Sequence, residues 1–459
     1  MNVATDEIRV LSATGILGYG FPQESFEEGL RRKPHVIGID AGSTDSGPYY
    51  LGSGKSLMGR ESVKRDLSIA LKGARALGVP LIVGTAGFSG ADVHLSAAYE
   101  LLREIAQENG LHFLVALIHA EFDKEYLKAQ LRAGKIRSFV PGTRELTEDD
   151  IEGSTRIVGQ MGVGPFIRAL DMGAEVILAG RACDTAIFAS YPLKNGFPHG
   201  LAVHMAKILE CGAYCAVPGA VADCMMGTLR SDHFVIEPLN PRRKCTPTSV
   251  AAHTLYEQPD PYLIYEPEGV ADLHDAVYEQ LDGGRVKVSG SRFLEAGQYT
   301  IKLEGCRNVG YRTIAIAGVR DSAVIRRIDE IEASVRAHVE NTLAGNTDPG
   351  SYRLKFRRYG LDAVFEAMEP ERHSGRTYEL GIVIDVVART QELANAVCAV
   401  ARSTLLHCEY EGRKATAGNL AVPFSPSDIA VGPVYEFNVY HLLQVDDLTA
   451  PFEVELVEL

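Results

Sequence analysis

No stretch of this chain approaches the roughly 20 consecutive apolar residues that crossing a bilayer takes. The N-terminus also lacks a basic segment followed by an apolar core, so neither a membrane span nor a secretory leader is expected and the protein reads as cytoplasmic. Positive charge is in deficit: 46 Lys and Arg face 60 Asp and Glu, a formal net charge of −14, and the cations are scattered rather than gathered into a stripe. That pattern excludes a nucleic-acid footprint, and Arg242-Arg243-Lys244 reads as a solvated turn. Cysteine is sparse and irregular, at 183, 211, 215, 224, 245, 306, 398 and 408, which excludes a disulfide framework. Without a Cys-x-x-Cys pair or a paired histidine motif, Cys211, Cys215 and Cys224 read as buried structural thiols rather than zinc ligands.

Familiar cofactor and hydrolase signatures are missing as well. Gly54-Lys55-Ser56 ends like a P-loop, but the glycine required five residues earlier is Tyr49. Gly15-Ile16-Leu17-Gly18-Tyr19-Gly20 has the wrong spacing for a dinucleotide fingerprint, and no Gly-x-Ser-x-Gly surrounds Ser43, Ser53 or Ser89. Asp40-Ala41-Gly42-Ser43-Thr44 resembles the first phosphate loop of actin-like ATPases. That loop belongs to an antiparallel hairpin, however, whereas Glu61 to Leu77 reads as a helix, and no second loop follows. The ATPase is therefore the alternative, not the leading reading.

What the chain does have is 459 residues, 46% hydrophobic and 23% charged, enough for two or three domains with ample core. Up to about residue 180, apolar runs alternate with amphipathic stretches, the mark of βαβ units around a mostly parallel sheet with helices on both faces. Strands are expected at 8–12, 35–40, 80–84, 111–118 and 175–179, and helices at 23–32, 61–77, 91–109, 124–133 and 154–172. Residues 181–320 are less regular, and a long charged helix is expected over 323–343. Asn346-Thr347-Asp348-Pro349-Gly350 reads as a boundary turn, dividing an α/β domain (1–348) from a C-terminal α+β domain (351–459).

All five predicted strands of the first domain end in polar or glycine-rich turns, which a parallel sheet gathers on one edge. The longest, Asp40 to Lys55, contains Ser43, Thr44, Asp45 and Ser53; the third carries Gly87 and Ser89; the fourth His119 and Glu121; the fifth Arg181 and Asp184. Arg181 can clamp a planar anion with two parallel hydrogen bonds, or form a structural ion pair with Asp184. Asp40, Asp45, His119 and Glu121 are candidate acid–base groups, and close carboxylates also invite a divalent cation. The plainer reading of Asp45, Asp92 and Asp184 is helix N-capping, preferred for Asp92. Asp40 closes a buried strand, where an unpaired carboxylate is costly, so it needs a hydrogen-bonding partner. Farther on, a helix begun at Thr248-Ser249 would put His253 and Glu257 on one face, where Glu257 can orient His253 as a general base.

In the stretches Asp40 to Lys55, Ile118-His119-Ala120-Glu121, Leu178 to Asp184 and Thr248 to Glu257, the chain resembles the acyclic terpene utilisation (AtuA-like) family, over nearly its whole length. The resemblance implies an α/β domain followed by a ferredoxin-like C-terminal domain, and an association with catabolism of organic acids and acyl thioesters. The expectation is a catabolic lyase of the hydratase or dehydratase type, working on a small hydroxy acid or its thioester, and a homo-oligomer. Ser43, Thr44, Ser53, Lys55, Gly87, Ser89, Arg181 and Asp184 would bind the substrate; Asp40, Asp45, His119, Glu121 and His253 would act on it. A hydrolase would use nearly the same residues, and the opposing reading is a non-catalytic partner subunit.

Overall fold

A computed structural model describes residues 6–459 except 141, 143, 345, 346, 349, 373, 375, 376 and 415, so Asn346 and Pro349 of the expected boundary turn lie outside the described residues. Contacts divide the chain into two compact units, Met1–Arg307 with Phe437–Leu459, and Asn308–Glu436. The division therefore does not fall at 348/351. Two long strands, Tyr299–Val319 and Asp428–Val445, carry the chain from one unit to the other, and the last strand returns to the first unit.

In the first unit, strands β1 (Ile8–Ser12), β2 (Val36–Gly42), β3 (Leu81–Phe88), β4 (Leu114–Ile118), β5 (Ile136–Ser138), β6 (Arg156–Gln160) and β7 (Val176–Ala179) form where apolar and β-branched runs occur. Five of them pair in parallel in the order β1-β2-β3-β7-β4. They are mostly apolar because both faces are buried, and alternate residues serve opposite faces. Val10, Val36, Ile82 and Ile177 pack with Phe166, Phe188 and Met205, while Leu11, Ile37, Val83 and Leu178 pack with Leu67, Leu71 and Ile105. Helices accordingly cover both faces. The sheet as a whole is mixed, since Met225–Leu229, His233–Pro238, Arg285–Ser289 and Val277–Leu281 extend it antiparallel beyond β1, and Val454–Glu458 pairs antiparallel with β4. The last strand, in the segment expected to form a separate C-terminal domain, thus belongs to the N-terminal sheet. An edge left open by β4 would expose unpaired backbone groups, and the C-terminal strand covers them.

A second departure concerns residues 154–172, expected as one helix. Arg156–Gln160 is a strand, paired antiparallel with Lys302 to Cys306, and the helix begins only at Val163. The Ile157-Val158 pair fits a pleated strand, and at Gly159 an added Cβ would lie 2.3 Å from the Phe122 ring, an approach only glycine allows.

The second unit runs strand, helices, strand, strand, helix, strand: the end of Tyr299–Val319, Ser322–Arg326 and Ile328–Leu343, Tyr352–Tyr359, Leu380–Ala388, Gln391–His407 and the start of Asp428–Val445. In its sheet, Tyr352–Tyr359, Leu380–Ala388, Tyr299–Val319 and Asp428–Val445 lie in that order. Thr390 caps the Gln391–His407 helix by accepting from the Leu393 N–H, and Val397, Ala401 and Leu405 are buried against Ile382, Ile384 and Val335.

Candidate functional site

The turns after β2, β3 and β7 are stitched together by unusual backbone. Thr85 and Phe88 have φ of 54° and 84°, left-handed values that cost a β-branched or aromatic residue strain of about 1–3 kcal/mol and that concentrate at functional sites. In this conformation the Thr85 N–H donates to the Gly180 carbonyl at 3.1 Å, and its Oγ1 accepts from the Ala182 N–H at 3.1 Å. The Arg181 N–H donates to the Gly90 carbonyl at 3.1 Å, so the turns touch backbone to backbone. Gly90 has φ of 69°, and an added Cβ would sit 2.2 Å from the Arg181 nitrogen. Gly90→Ala is expected to lose about 1–3 kcal/mol or more, readable as a lowered urea midpoint. Unchanged melting would mean the turns are not packed this closely.

Ser43, Thr44, Ser89 and Arg181 line one pinched hollow of about 10 Å3, together with Phe88, Glu304 and Phe437. The predicted anion clamp is changed in character, because the Arg181 fork already holds a carboxylate of its own chain. Nε donates to Glu304 Oε2 at 2.8 Å and Nη2 to Oε1 at 3.4 Å, both groups being buried, while Asp184 stands 3.9 Å away. Burial pushes the Glu304 carboxyl up, but Arg181 and Lys302, the latter at 2.8 Å, outweigh it and hold it at about 2. Arg181→Lys is therefore expected to lower stability as well as activity, since a lysine cannot reproduce the two-pronged contact. A thermal midpoint that stays put while kcat/KM falls would restore the clamp.

A denser group of charges lies beside this hollow. Asp40 is buried, and one of its oxygens accepts from the Gly42 N–H at 3.1 Å, which is the partner its position required. Burial first, then the charges of Asp184 and Glu210, drive its carboxyl well above the usual range, against Arg181 and the Gly42 bond. Lys207 and Glu210 project from the end of the helix His199–Leu209 and are paired with each other, both buried. Burial opposes charge on Lys207, but Glu210 holds its pKa above the ordinary value. Glu210 itself is pushed up to about 8, by burial and by Asp184, which shares a hydrogen bond with it, in spite of Lys207.

The reason is a shortage of cations. Because Arg181 is committed to Glu304, three carboxyls, Asp40, Asp184 and Glu210, cluster with one ammonium, that of Lys207, which also lies 3.9 Å from Glu257. Glu210 therefore retains its proton at neutral pH.

His253 completes the group. It is buried, its Nε2 has no hydrogen-bond partner, and burial together with the Lys207 charge lowers it to about 4, so the ring is neutral. Tyr256 stacks on it at 5.7 Å and Tyr214 meets it edge-on at 5.8 Å; both tyrosines are partly exposed, forming a rim. Asp45 is exposed and its charge reaches Tyr256. One oxygen of Asp184 is likewise buried without a partner. The arrangement brings a protonated carboxyl, Glu210, and a neutral histidine with an unpaired Nε2 to the same ammonium, Lys207.

Other predicted residues serve the scaffold. The helix Pro247–Thr254 stops before Glu257, whose φ is 58°, so His253 and Glu257 do not share a helical face; Glu257 instead lies 3.9 Å from Lys207. Asp92 is the first helical residue rather than the cap, and its carboxylate meets His119 Nδ1 at 2.9 Å, which raises the His119 pKa. Glu121 accepts from the Asp92 N–H at 3.1 Å at that helix start. Asp184 also falls at a first helical position, after Cys183. Lys55 is exposed, its carbonyl held by His94 Nε2 at 3.2 Å, and Ser53 Oγ accepts from its N–H at 3.3 Å. Gly87 borders a separate apolar cavity.

All eight cysteines are free and seven are buried. Among the described residues no group of three or more His, Cys, Asp and Glu side chains is placed to hold a metal ion, and no helix is long and apolar enough to cross a membrane. β2 and β3 are parallel and joined through a helix, which removes the antiparallel hairpin of the actin-like ATPase alternative.

Lys207, Glu210 and Glu304 were not singled out from sequence, yet each carries a legible signal. His199–Leu209 is apolar on every side, with Leu201, Val203, Met205 and Ile208 buried, and a Lys-x-x-Glu at its end is charge where none is affordable unless paired or used. Lys302 and Glu304 alternate with Ile301 and Leu303, which sets an opposite-charge pair on one face of the strand.

No curated protein and no solved structure matches the chain. The family model described as acyclic terpene utilisation family protein AtuA matches residues 60–224 and 231–428, beginning just after the Asp40 to Lys55 loop. With most of its length covered, the chain belongs to the acyclic terpene utilisation family.

Proposed function

We propose that the protein is an acid–base enzyme, a lyase of the hydratase or dehydratase type, acting on a small hydroxy acid or its acyl thioester. The observation that carries this reading is the pairing of a carboxyl that keeps its proton at neutral pH with a neutral histidine whose Nε2 is unoccupied. Loss of water beside a carbonyl needs those two groups: a base to take the proton on carbon and an acid to protonate the departing hydroxyl. His253 Nε2 takes the carbon-bound proton. Glu210, kept protonated by burial and by the neighbouring Asp184 against the pull of Lys207, delivers its proton to the hydroxyl, which leaves as water. Ser43, Thr44 and Ser89 supply hydroxyl donors for the substrate's carboxylate or thioester carbonyl from the adjoining hollow.

The test is solvent exchange. In heavy water, 3-hydroxyacyl thioesters and free 3-hydroxy acids are incubated with the full chain and followed by proton NMR. Deuterium entering the α-carbon together with appearance of the unsaturated acid supports the reading. Release of the thiol without exchange would point to a hydrolase, and neither change in any substrate would leave a binding subunit.

A further inference from the structure

The first unit contains a cavity of about 230 Å3 that the acid–base group does not use. Leu17, Met58, Leu67, Val83, Ala98 and Leu101 are among the residues that line it. Well-packed interiors leave few voids larger than a water molecule, so an apolar space of this size is not a packing fault. An apolar cavity of about 150 Å3 stays dry and takes benzene; by that scale this one has room for about nine carbon-sized groups.

Its position says what kind of ligand would fill it. The strained end of β3 runs along both sites: Ala86, Gly87 and Phe88 line the cavity, and Phe88 and Ser89 line the polar hollow with Arg181. Ala41 lines the cavity and is the next residue after Asp40. One ring, Phe88, is thus the shared wall of an apolar chamber and a polar one. A ligand that fits both is amphipathic, with a carboxylate or thioester head and an aliphatic tail.

We propose that this cavity receives the aliphatic tail, of up to about nine carbons, of a ligand whose head lies against Ser43 and Ser89 at the mouth of the polar hollow, which at about 10 Å3 is too small to enclose it. The inference rests on the substrate class proposed above and gives it a chain length.

Isothermal titration of the full chain with straight-chain saturated carboxylates of four to twelve carbons tests it. Each added methylene should tighten binding about fourfold until the tail reaches about nine carbons, with no further gain. Ala98→Leu and Val63→Phe, on two different helices and both partly exposed, fill the chamber and should each shorten the length at which affinity stops rising. Whichever variant melts as the parent does is the informative one. Equal affinity across the series, no binding at any length, or a length dependence that a normally folded variant leaves unmoved would overturn the proposal. A length-dependent affinity without α-carbon exchange would retain the tail site and discard the lyase; exchange without length dependence would do the reverse.

Discussion

Glu304→Ala is expected to destabilise the first unit by about 3–5 kcal/mol, because it strands the buried Arg181 guanidinium and the adjoining Lys302 without their carboxylate. The loss should appear as a lower urea midpoint at unchanged slope. Glu304→Gln should lose less, since it keeps an oxygen for Arg181. A well-packed apolar pair, Arg181→Met with Glu304→Leu, should recover much of the stability, since it removes both charges at once. If Glu304→Ala melts like the parent, Arg181 has another partner and its pairing is not structural.

The same pair sets an acid limit. Glu304 has its folded pKa lowered to about 2, below its value of about 4.3 in the unfolded chain, so between the two values the unfolded state binds more protons. Its contribution is complete above about pH 4.3 and is lost as pH falls through about 2. Unfolding followed over this window in the parent and in Glu304→Gln should show a shallower slope in the variant, the remainder coming from other carboxylates held low by hydrogen bonds and ion pairs, such as Asp150 and Asp329.

Glu210→Gln is expected to cut kcat/KM by about a hundred- to ten-thousandfold in whichever direction the proposed reaction is assayed, the usual scale for losing a general acid. The glutamine keeps size and a hydrogen-bonding end, so the fold should survive while the proton is gone. The pH profile of the parent carries the sharper prediction. Activity should rise as pH climbs through about 4, where His253 becomes neutral, and fall through about 8, where Glu210 loses its proton. In Glu210→Gln the alkaline limb should disappear from whatever activity remains. A parent profile flat from pH 6 to 9 would show that the Glu210 proton takes no part.

Much of the scaffold could be read without coordinates. The runs Val36-Ile37-Gly38-Ile39 and Leu81-Ile82-Val83 are apolar on consecutive residues, which only a strand buried on both faces tolerates, and the polar turns that follow them had to gather at one edge. Gln391–His407 was legible from its stripe of Val397, Ala401 and Leu405. The strand at 156–160 was not, because five residues with only Ile157 and Val158 as large apolar side chains, beside a true helix, carry no period of their own, and the partner lies about 145 positions later, between Lys302 and Cys306. The final strand looked local to its neighbours for the same reason: its pairing with β4 spans most of the chain.

The sequence by itself determined the parallel centre of the sheet, the edge on which chemistry can lie, and the presence there of Asp40, Ser43, Thr44, Arg181 and Asp184, because strand period and turn composition are local properties. Only the tertiary structure decided what those residues meet. Arg181 finds Glu304, 123 positions away, and so ceases to be a free anion clamp; Asp40 and Asp184 find Glu210 and Lys207 at the end of an apolar helix. Protonation follows from that meeting, since a carboxyl's pKa is set by the burial and charges around it and not by its place in the chain. A count of acids and bases along the sequence cannot show that three carboxyls share one ammonium.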